Sequence, residues 1–249
     1  MFVFIESSTN MQQLGHTRSS HQHDHLLHTP DAFVRAPLPG MMKATAIVHA
    51  APALGAAFTQ YTAEFEAGGS LGPAPAQRFV YVLSGKLKIS GKTLGPDEYA
   101  YLPMGEEPVV AMRASRAAVI EKPREPLQGE LAPVAFVGNE KDIAPTALMG
   151  DPWLEVRTLI PSANLNFDFA VNTMTFQPGG ALPLVEMHVM EHGLLMLAGG
   201  GIYRLGNAWY SVTAGDFIWM GPYCPQWFGA IGKTPAKYLI YKDWNRHPL

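Results

Sequence analysis

The sequence has very little cysteine and little charge. Cys224 is the single cysteine among 249 residues, so no internal disulfide can form, and we expect a reducing, cytoplasmic compartment. Charged residues make up 16% of the chain and the formal net charge is -3, which gives no basic stripe for nucleic acid. The first residues lack the basic start and sustained apolar run of a signal peptide, and no stretch approaches the roughly 18 apolar residues of a membrane span. Composition therefore argues against nucleic-acid and membrane partners.

Helical periodicity of useful length is also absent. From Ala44 onward the chain shows short β-rich runs that Gly and Pro interrupt at intervals of roughly ten residues, a pattern typical of a β-sandwich or barrel. The polar segment before this point contains five crowded histidines, but no carboxylate or thiolate stands beside them at a fixed turn. We interpret this segment as a surface arm or an oligomer contact. Its histidines are His16, His21, His23, His25 and His28.

The β-rich runs repeat along the chain. Residues 80–85 parallel residues 194–199, residues 95–103 parallel residues 215–222, and residues 119–122 parallel residues 239–242. Two copies of one antiparallel jelly-roll barrel in tandem explain this repeat. The sequence thus predicts an all-β protein with an N-terminal arm at 1–40, a first barrel at 41–125, a linker at 126–160 and a second barrel at 161–249.

One short segment of the second barrel combines imidazole and carboxylate side chains. Glu186 and His188 are two residues apart, so they share a face of an extended segment, and His192 follows after a gap that a tight turn could close. Gln226 comes eleven residues after Gly215, near the end of a later strand pattern. If these four side chains converge, they offer two oxygens and two nitrogens to a divalent cation. Glu191 has the opposite strand parity, and we expect it to face outward.

Three further side chains are candidates for contact with a substrate. Tyr238 and Lys242 share a face of the last strand, where an inward lysine would be costly unless a charge or a reaction required it. A solvated surface strand is the alternative. Tyr203 either contacts substrate or packs in the core, whereas Cys224 is best read as a buried structural thiol.

The ligand pattern resembles the cupin family. A usual first cupin motif contains His-x-His followed by Glu, and the second motif ends in His. Here Glu186 occupies the first His position, His188 keeps the second, His192 replaces the Glu, and Gln226 stands at the last His. With residues 192–195, 201–205 and 241–246, this permuted set resembles the (S)-ureidoglycine aminohydrolase family over roughly residues 14–249.

The resemblance implies a bicupin fold, a Mn²⁺ ion at the four ligands, and a small ureide substrate that contacts Tyr238 and Lys242. The implied reaction converts (S)-ureidoglycine and water into (S)-ureidoglycolate and ammonia. We expect Lys242, assisted by Tyr238, to move the proton between water and the leaving amine, and Glu186 to accept a proton as well as bind the ion. Fe²⁺, Zn²⁺ and Ni²⁺ remain open as alternatives to Mn²⁺.

The repeat also makes a prediction about the first barrel. The positions equivalent to Glu186, His188 and His192 hold Gly72, Ala74 and Arg78, which are not a ligand set, so we expect this barrel to be metal-free. Edge-rich barrels of this kind commonly associate, and we expect a homo-oligomer. Two other functions remain open: a bicupin oxidoreductase or decarboxylase acting on a small carboxylic acid, and a non-catalytic cupin that binds a small ligand.

Overall fold

The computed structural model describes residues 16–105, 107–244 and 246. Within them the chain is built from antiparallel β-strands, joined by turns and by three single-turn 3-10 helices at Pro30–Ala32, Pro52–Leu54 and Glu140–Asp142. No helix in these ranges is long and apolar enough to cross a membrane. The prediction of an all-β protein is confirmed.

The chain divides into two compact units. One is centred on Phe33–Asp142, and the other combines Thr17–Ala32 with the chain from Ile143 onward. The segment expected as an N-terminal arm therefore contributes its residues 17–32 to the second unit, although the two are far apart in sequence.

The first unit is one curled antiparallel sheet. Its strands are β3 (Met42–Ala50), β4 (Thr59–Leu71), β5 (Gln77–Ser84), β6 (Leu87–Ile89), β7 (Lys92–Leu94), β8 (Glu98–Leu102), β9 (Val109–Ala111), β10 (Ser115–Lys122) and β11 (Phe136–Asn139). Their order in the sheet is β11-β8-β5-β10-β4-β9-β6-β7, and β3 also pairs with β4. Alternate residues of these strands, such as Val80 and Val82 on β5 and Ala117 and Val119 on β10, point into a shared apolar core.

The second unit contains two antiparallel sheets. Their strands are β1 (Ser20–His21), β2 (His25–His28), β12 (Thr146–Leu148), β13 (Asp151–Ile160), β14 (Phe169–Phe176), β15 (His192–Ala198), β16 (Gly200–Leu205), β17 (Ala208–Thr213), β18 (Phe217–Met220), β19 (Gln226–Ala230) and β20 (Ala236–Asp243). The eight-stranded sheet has the order β1-β2-β18-β15-β20-β14-β13-β12, and the three-stranded sheet has the order β17-β16-β19. The inward side chains of the two sheets form one apolar core.

A glycine ends the equivalent strand in each unit. Gly85 follows β5 at φ +88°, and Gly199 follows β15 at φ +62°, both in the left-handed region that favours glycine. A Cβ on Gly199 would also lie 2.5 Å from the carbonyl oxygen of Pro235. Gly85 and Gly199 end the first pair of repeated segments, 80–85 and 194–199, so the sequence repeat corresponds to the same turn in both units.

Segments that looked irregular in the sequence supply edge strands. The stretch expected as a linker, 126–160, contributes β11 to the edge of the first sheet and β12 and β13 to the edge of the second. At the opposite edge, β2 pairs with β18 in the register His25↔Met220 and Leu27↔Ile218. Such strands cover sheet edges that would otherwise be left with unpaired backbone groups.

Candidate active site and metal centre

Two backbone hydrogen bonds bring the first and last of the four candidate ligands together. Glu186 and Gln226 form an isolated antiparallel bridge. The Glu186 N–H donates to the Gln226 carbonyl at 2.8 Å, and the Gln226 N–H donates to the Glu186 carbonyl at 2.9 Å. Glu186 itself lies in an irregular connection between β14 and β15, so this bridge takes the place of a regular strand in fixing its side chain.

Three nitrogen atoms meet beside that bridge. The Nε2 atoms of His188 and His192 are 3.2 Å apart, and the Gln226 amide donates to His188 Nε2 at 2.9 Å. The Glu186 carboxylate lies 4.0 Å from the same His188 atom. His192 donates its Nδ1–H to the Tyr241 carbonyl at 3.2 Å, which leaves its Nε2 lone pair directed at the cluster.

This donor set fits a divalent cation. Two imidazole lone pairs 3.2 Å apart repel each other unless a proton or a cation lies between them. Turning the Gln226 amide by half a turn would present its oxygen, the atom that binds cations, in place of its NH₂ group. One carboxylate, two imidazoles and one amide oxygen favour hard or borderline divalent ions over soft ones, because no thiolate is among them.

Burial keeps both imidazoles in the form that binds metal. It lowers the pKa of His188, and it lowers the pKa of the fully buried His192 well below its ordinary value, with the Lys242 charge acting in the same direction. The pKa of Lys242 is itself lowered by burial, against the opposing effect of Glu186. Neutral imidazole is therefore favoured at both histidines, and the charged form of Lys242 is disfavoured relative to a solvated lysine.

All seven residues predicted to bind the metal ion or the substrate line one cavity. It has about 40 Å³ of room for the centres of water molecules, enough for a cation with a few waters. Its polar wall consists of Glu186, His188, His192, Tyr203, Gln226, Tyr238 and Lys242, and its apolar wall of Leu148, Met174, Leu182 and Ile240. Burial raises the pKa of both tyrosines, so their phenols stay protonated and can donate hydrogen bonds.

The strands explain how the polar wall is assembled. His192 opens β15 and lies directly opposite Lys242 on β20, so both come from the eight-stranded sheet. Tyr203 and Gln226 come from β16 and β19 of the three-stranded sheet. The cavity thus lies between the two sheets of one unit, and its geometry depends on how firmly these sheets are joined.

Comparisons with known proteins agree with this geometry. A model of the cupin domain matches residues 172–241, which include most of the polar wall. A probable (S)-ureidoglycine aminohydrolase of Oryza sativa is 40% identical over 94% of this chain and 78% of its own. The (S)-ureidoglycine aminohydrolase of Arabidopsis thaliana is 39% identical over 98% of this chain and 84% of its own. The chain belongs to the (S)-ureidoglycine aminohydrolase family.

Solved structures extend the family assignment to the fold. A protein of Pseudomonas aeruginosa described as a putative glyoxylate induced protein superposes with a TM-score of 0.84, at 31% identity over 94% of this chain and 93% of its own. The oxalate decarboxylase of Bacillus subtilis, a protein with Mn(II) centres, has a TM-score of 0.67 at 11% identity, over 92% of this chain and 80% of its own. At that identity the likeness shows the fold alone, and the predicted bicupin fold is confirmed.

In this aminohydrolase family member, the first barrel holds an ion pair at the place of the candidate ligands. Arg78 lies opposite Glu121 in the sheet, as His192 lies opposite Lys242 in the second barrel. Arg78 donates its Nε–H to Glu121 at 2.8 Å and an Nη1 hydrogen to the Gly72 carbonyl at 2.9 Å, and the Tyr61 hydroxyl donates to Glu121 at 2.8 Å. In the first barrel, the residue structurally equivalent to Lys242 is therefore Glu121. The sequence repeat had instead aligned Lys122 with Lys242.

Two expectations about individual residues need correction. Glu191 lies outside the cavity lining, in agreement with its strand parity, but the expectation that it faces outward was wrong. It is buried and accepts a hydrogen bond from Trp219 Nε1 at 3.1 Å. The arm is not wholly a surface segment, because His25 is only 3% exposed. Cys224 is buried as expected, and burial raises the pKa of its thiol to about 11.

Sequence reasoning also missed a second cluster. The side-chain donor atoms of Asp24, His25 and Cys224 lie within 4.8 Å of one another. Both ring nitrogens of His25 already have hydrogen-bond partners, Asp24 at 2.8 Å and the Tyr210 hydroxyl at 2.8 Å. Neither ring nitrogen of His25 is therefore left unengaged for a metal ion. The expectation that no carboxylate stands beside the arm histidines was wrong, because Asp24 adjoins His25 and bonds to it. Tyr210, the other partner of His25, is 185 residues away and has no local sequence signal.

Proposed function

We propose that this protein hydrolyses (S)-ureidoglycine, replacing its amine with a hydroxyl and releasing (S)-ureidoglycolate and ammonia. The observation that carries the proposal is the meeting of Glu186, His188, His192 and Gln226 with Tyr203, Tyr238 and Lys242 around one cavity. Family membership supplies the substrate, a small ureide with an amine, a carboxylate and a ureido group on one carbon.

Glu186, His188, His192 and Gln226 would hold one divalent ion, with Mn²⁺ the favoured candidate. When bound, this ion supplies positive charge that anchors the substrate and polarises the carbon carrying the amine. His192 is oriented for this role by its hydrogen bond to the Tyr241 carbonyl, the kind of outer contact that fixes the tautomer of metal-binding imidazoles.

Lys242 would act as the acid and base of the reaction. With its pKa lowered by burial, the neutral amine can accept a proton from the attacking water, and the resulting ammonium can return it to the departing amine. The hydroxyl of water thus joins carbon, the carbon to nitrogen bond breaks, and the proton leaves with ammonia. Tyr238 and Tyr203 would donate hydrogen bonds to the substrate, and the Glu186 oxygen that does not bind the ion would accept a hydrogen bond from the attacking water.

The first barrel would remain free of metal. Where the second barrel offers imidazole and carboxylate, the first offers Gly72, Ala74 and the Arg78 guanidinium, whose charge already pairs with Glu121. A divalent ion there would have to displace a hydrogen-bonded cation from a site that is mostly buried. We propose that this internal ion pair takes the structural place of the ion.

The protein would work as a homo-oligomer in the cytoplasm. Three apolar side chains beside the site are exposed, with Leu184 at 51%, Val185 at 40% and Met187 at 65%, and a subunit contact would cover them. The lone cysteine fits a reducing compartment.

The decisive assay measures ammonia released from freshly made ureidoglycine by metal-stripped protein, with and without added Mn²⁺. Release above the spontaneous rate that requires Mn²⁺ is the expected result. No release above the spontaneous rate, with oxygen uptake or carbon dioxide release from small carboxylic acids instead, would replace the proposal with an oxidoreductase or decarboxylase. Binding of a ureide without turnover would indicate a ligand-binding cupin.

A further inference from the structure

The arm strand β2 continues the row of residues that forms the active site. Paired residues run across the eight-stranded sheet as His25, Met220, His192 and Lys242. His25 is therefore two strands from His192, about 10 Å along the sheet at 4.7–4.9 Å per strand. Leu27 on the same face packs in the core. The arm is thus part of the wall of this barrel.

Side chains of the arm join this sheet to the other one. The Asp24 carboxylate accepts the Nδ1–H of His25 at 2.8 Å, so Nε2 carries the lone pair and accepts from the Tyr210 hydroxyl at 2.8 Å. Tyr210 lies on β17, in the three-stranded sheet. We call Asp24, His25 and Tyr210 the arm brace. It ties the sheet that carries His192 and Lys242 to the sheet that carries Tyr203 and Gln226.

The brace also supports the turn between β18 and β19. The Asp24 carbonyl accepts the Gly221 N–H at 2.8 Å at the start of this turn. Within it, Tyr223 donates its N–H to the His188 carbonyl at 2.8 Å. At its end, immediately before Gln226, the Pro225 carbonyl accepts the Gly206 N–H at 2.8 Å.

Gly206 packs directly on the brace. A Cβ at this position would lie 3.1 Å from the Asp24 carboxylate and 3.6 Å from the His25 ring. Displacement of the arm would therefore remove support both from the turn that precedes Gln226 and from the backbone of His188.

We propose that the arm brace positions Gln226 and His188 for metal binding, so that loss of the Tyr210–His25 hydrogen bond weakens the metal site without removing a ligand. This inference rests on the proposed function, because it concerns the same four ligands. Asp24, His25 and Tyr210 are positioning residues, since their contacts run through the turn and the β17 strand and not to the substrate.

The test compares Mn²⁺ affinity in full-length variants. Tyr210→Phe removes one hydroxyl, and His25→Ala removes the ring that it contacts. We expect Mn²⁺ to bind about tenfold more weakly to both, the lower end of the loss seen when a direct hydrogen-bond partner of a metal ligand is removed, because the brace acts through the turn and not on a ligand side chain. Turnover should fall at limiting Mn²⁺ and recover when Mn²⁺ is saturating. His25→Gln, whose amide can still reach Tyr210, should restore part of the affinity.

Two controls separate positioning from general loss of stability. Arg18→Gln removes the arm's bidentate ion pair with the buried Asp216, at 2.7 and 2.8 Å, and leaves the brace in place. This variant should lower the melting temperature with little change in Mn²⁺ affinity. His21→Ala, at an exposed arm position, should change neither quantity.

The outcomes distinguish the two proposals. Wild-type Mn²⁺ affinity in both Tyr210→Phe and His25→Ala would overturn the brace while leaving the proposed function intact. An equal loss of Mn²⁺ affinity in Arg18→Gln and Tyr210→Phe would also overturn the brace, because the affinity would then follow the stability of the fold alone. Failure of the wild-type protein to bind Mn²⁺ would overturn both.

Discussion

Replacing Lys242 with methionine should separate catalysis from metal binding. Methionine keeps a side chain of similar length, so the cavity wall stays filled while the amine is lost. General acid and base catalysis typically contributes 10²–10⁴-fold, so we expect turnover to fall by at least about 100-fold, or about 2.7 kcal/mol in the activation barrier. The lysine is disfavoured in its charged form by burial, so methionine should not destabilise the fold.

The same substitution should leave metal binding intact or make it tighter. In its protonated form Lys242 lowers the pKa of both His188 and His192, in addition to the larger effect of burial, so the protonated amine disfavours positive charge at the ligands. His192 lies directly opposite Lys242 on the neighbouring strand, where paired Cβ atoms are about 4.5–5.5 Å apart, and two like unit charges at that separation repel by roughly 3 kcal/mol at an effective dielectric of about 20. Removing the amine therefore removes a repulsion, and the variant should hold at least as much Mn²⁺ as the wild type.

The assay is ammonia release at saturating Mn²⁺, with metal content measured on the same samples. Lys237→Met is the matched control, because Lys237 lies on the same strand but does not line the cavity. It should retain wild-type turnover. Normal turnover by Lys242→Met would refute the proton-transfer role, and a parallel loss of Mn²⁺ and turnover would show that Lys242 supports the metal site instead.

Three further outcomes follow from the structure. His192→Ala should weaken Mn²⁺ binding by at least tenfold in a metal titration, and unchanged affinity would remove it from the ligand set. Arg78→Met should lower the free energy of unfolding by about 3 kcal/mol in a denaturant titration, because it leaves Glu121 in a mostly buried place without its ion-pair partner. Its metal stoichiometry should stay that of the wild type, and a change there would assign the ion to the first barrel. The folded-state pKa values of His188 and His192 lie below that of an unfolded histidine, so metal-free protein should lose stability as the pH falls below about 6.5. The loss should reach up to about 1.4 kcal/mol per pH unit for each histidine. A free energy of unfolding that stays constant between pH 7 and about 5 would contradict this.

The candidate site was largely predictable because its chemistry is local in sequence. Glu186, His188 and His192 fall within seven residues, and the alternation of β-strands places Tyr238 and Lys242 on one face. Gln226 was located by its distance from a turn that recurs in both barrels. The structure brings these residues to one cavity, and their catalytic and ligand roles stay predictions.

Other features were not predictable because they depend on pairing across long stretches of sequence. The burial of His25 results from β2 adding to the edge of a sheet nearly 200 residues later, which no local pattern signals. The counterpart of Lys242 in the first barrel is set by strand pairing, which places Glu121 opposite Arg78 as it places Lys242 opposite His192, one residue away from the position that sequence similarity indicates. The edge strands within 126–160 likewise lack the strong alternation of a central strand.

The central claim is that one divalent ion binds between Glu186, His188, His192 and Gln226. Crystals of the full-length protein soaked in Mn²⁺ and measured for anomalous scattering would test it directly. We predict a single strong manganese peak per chain, within bonding distance of these four side chains. A peak beside Arg78 in the first barrel, a peak at Asp24 and Cys224, or no peak in the cavity at saturating Mn²⁺ would contradict the account.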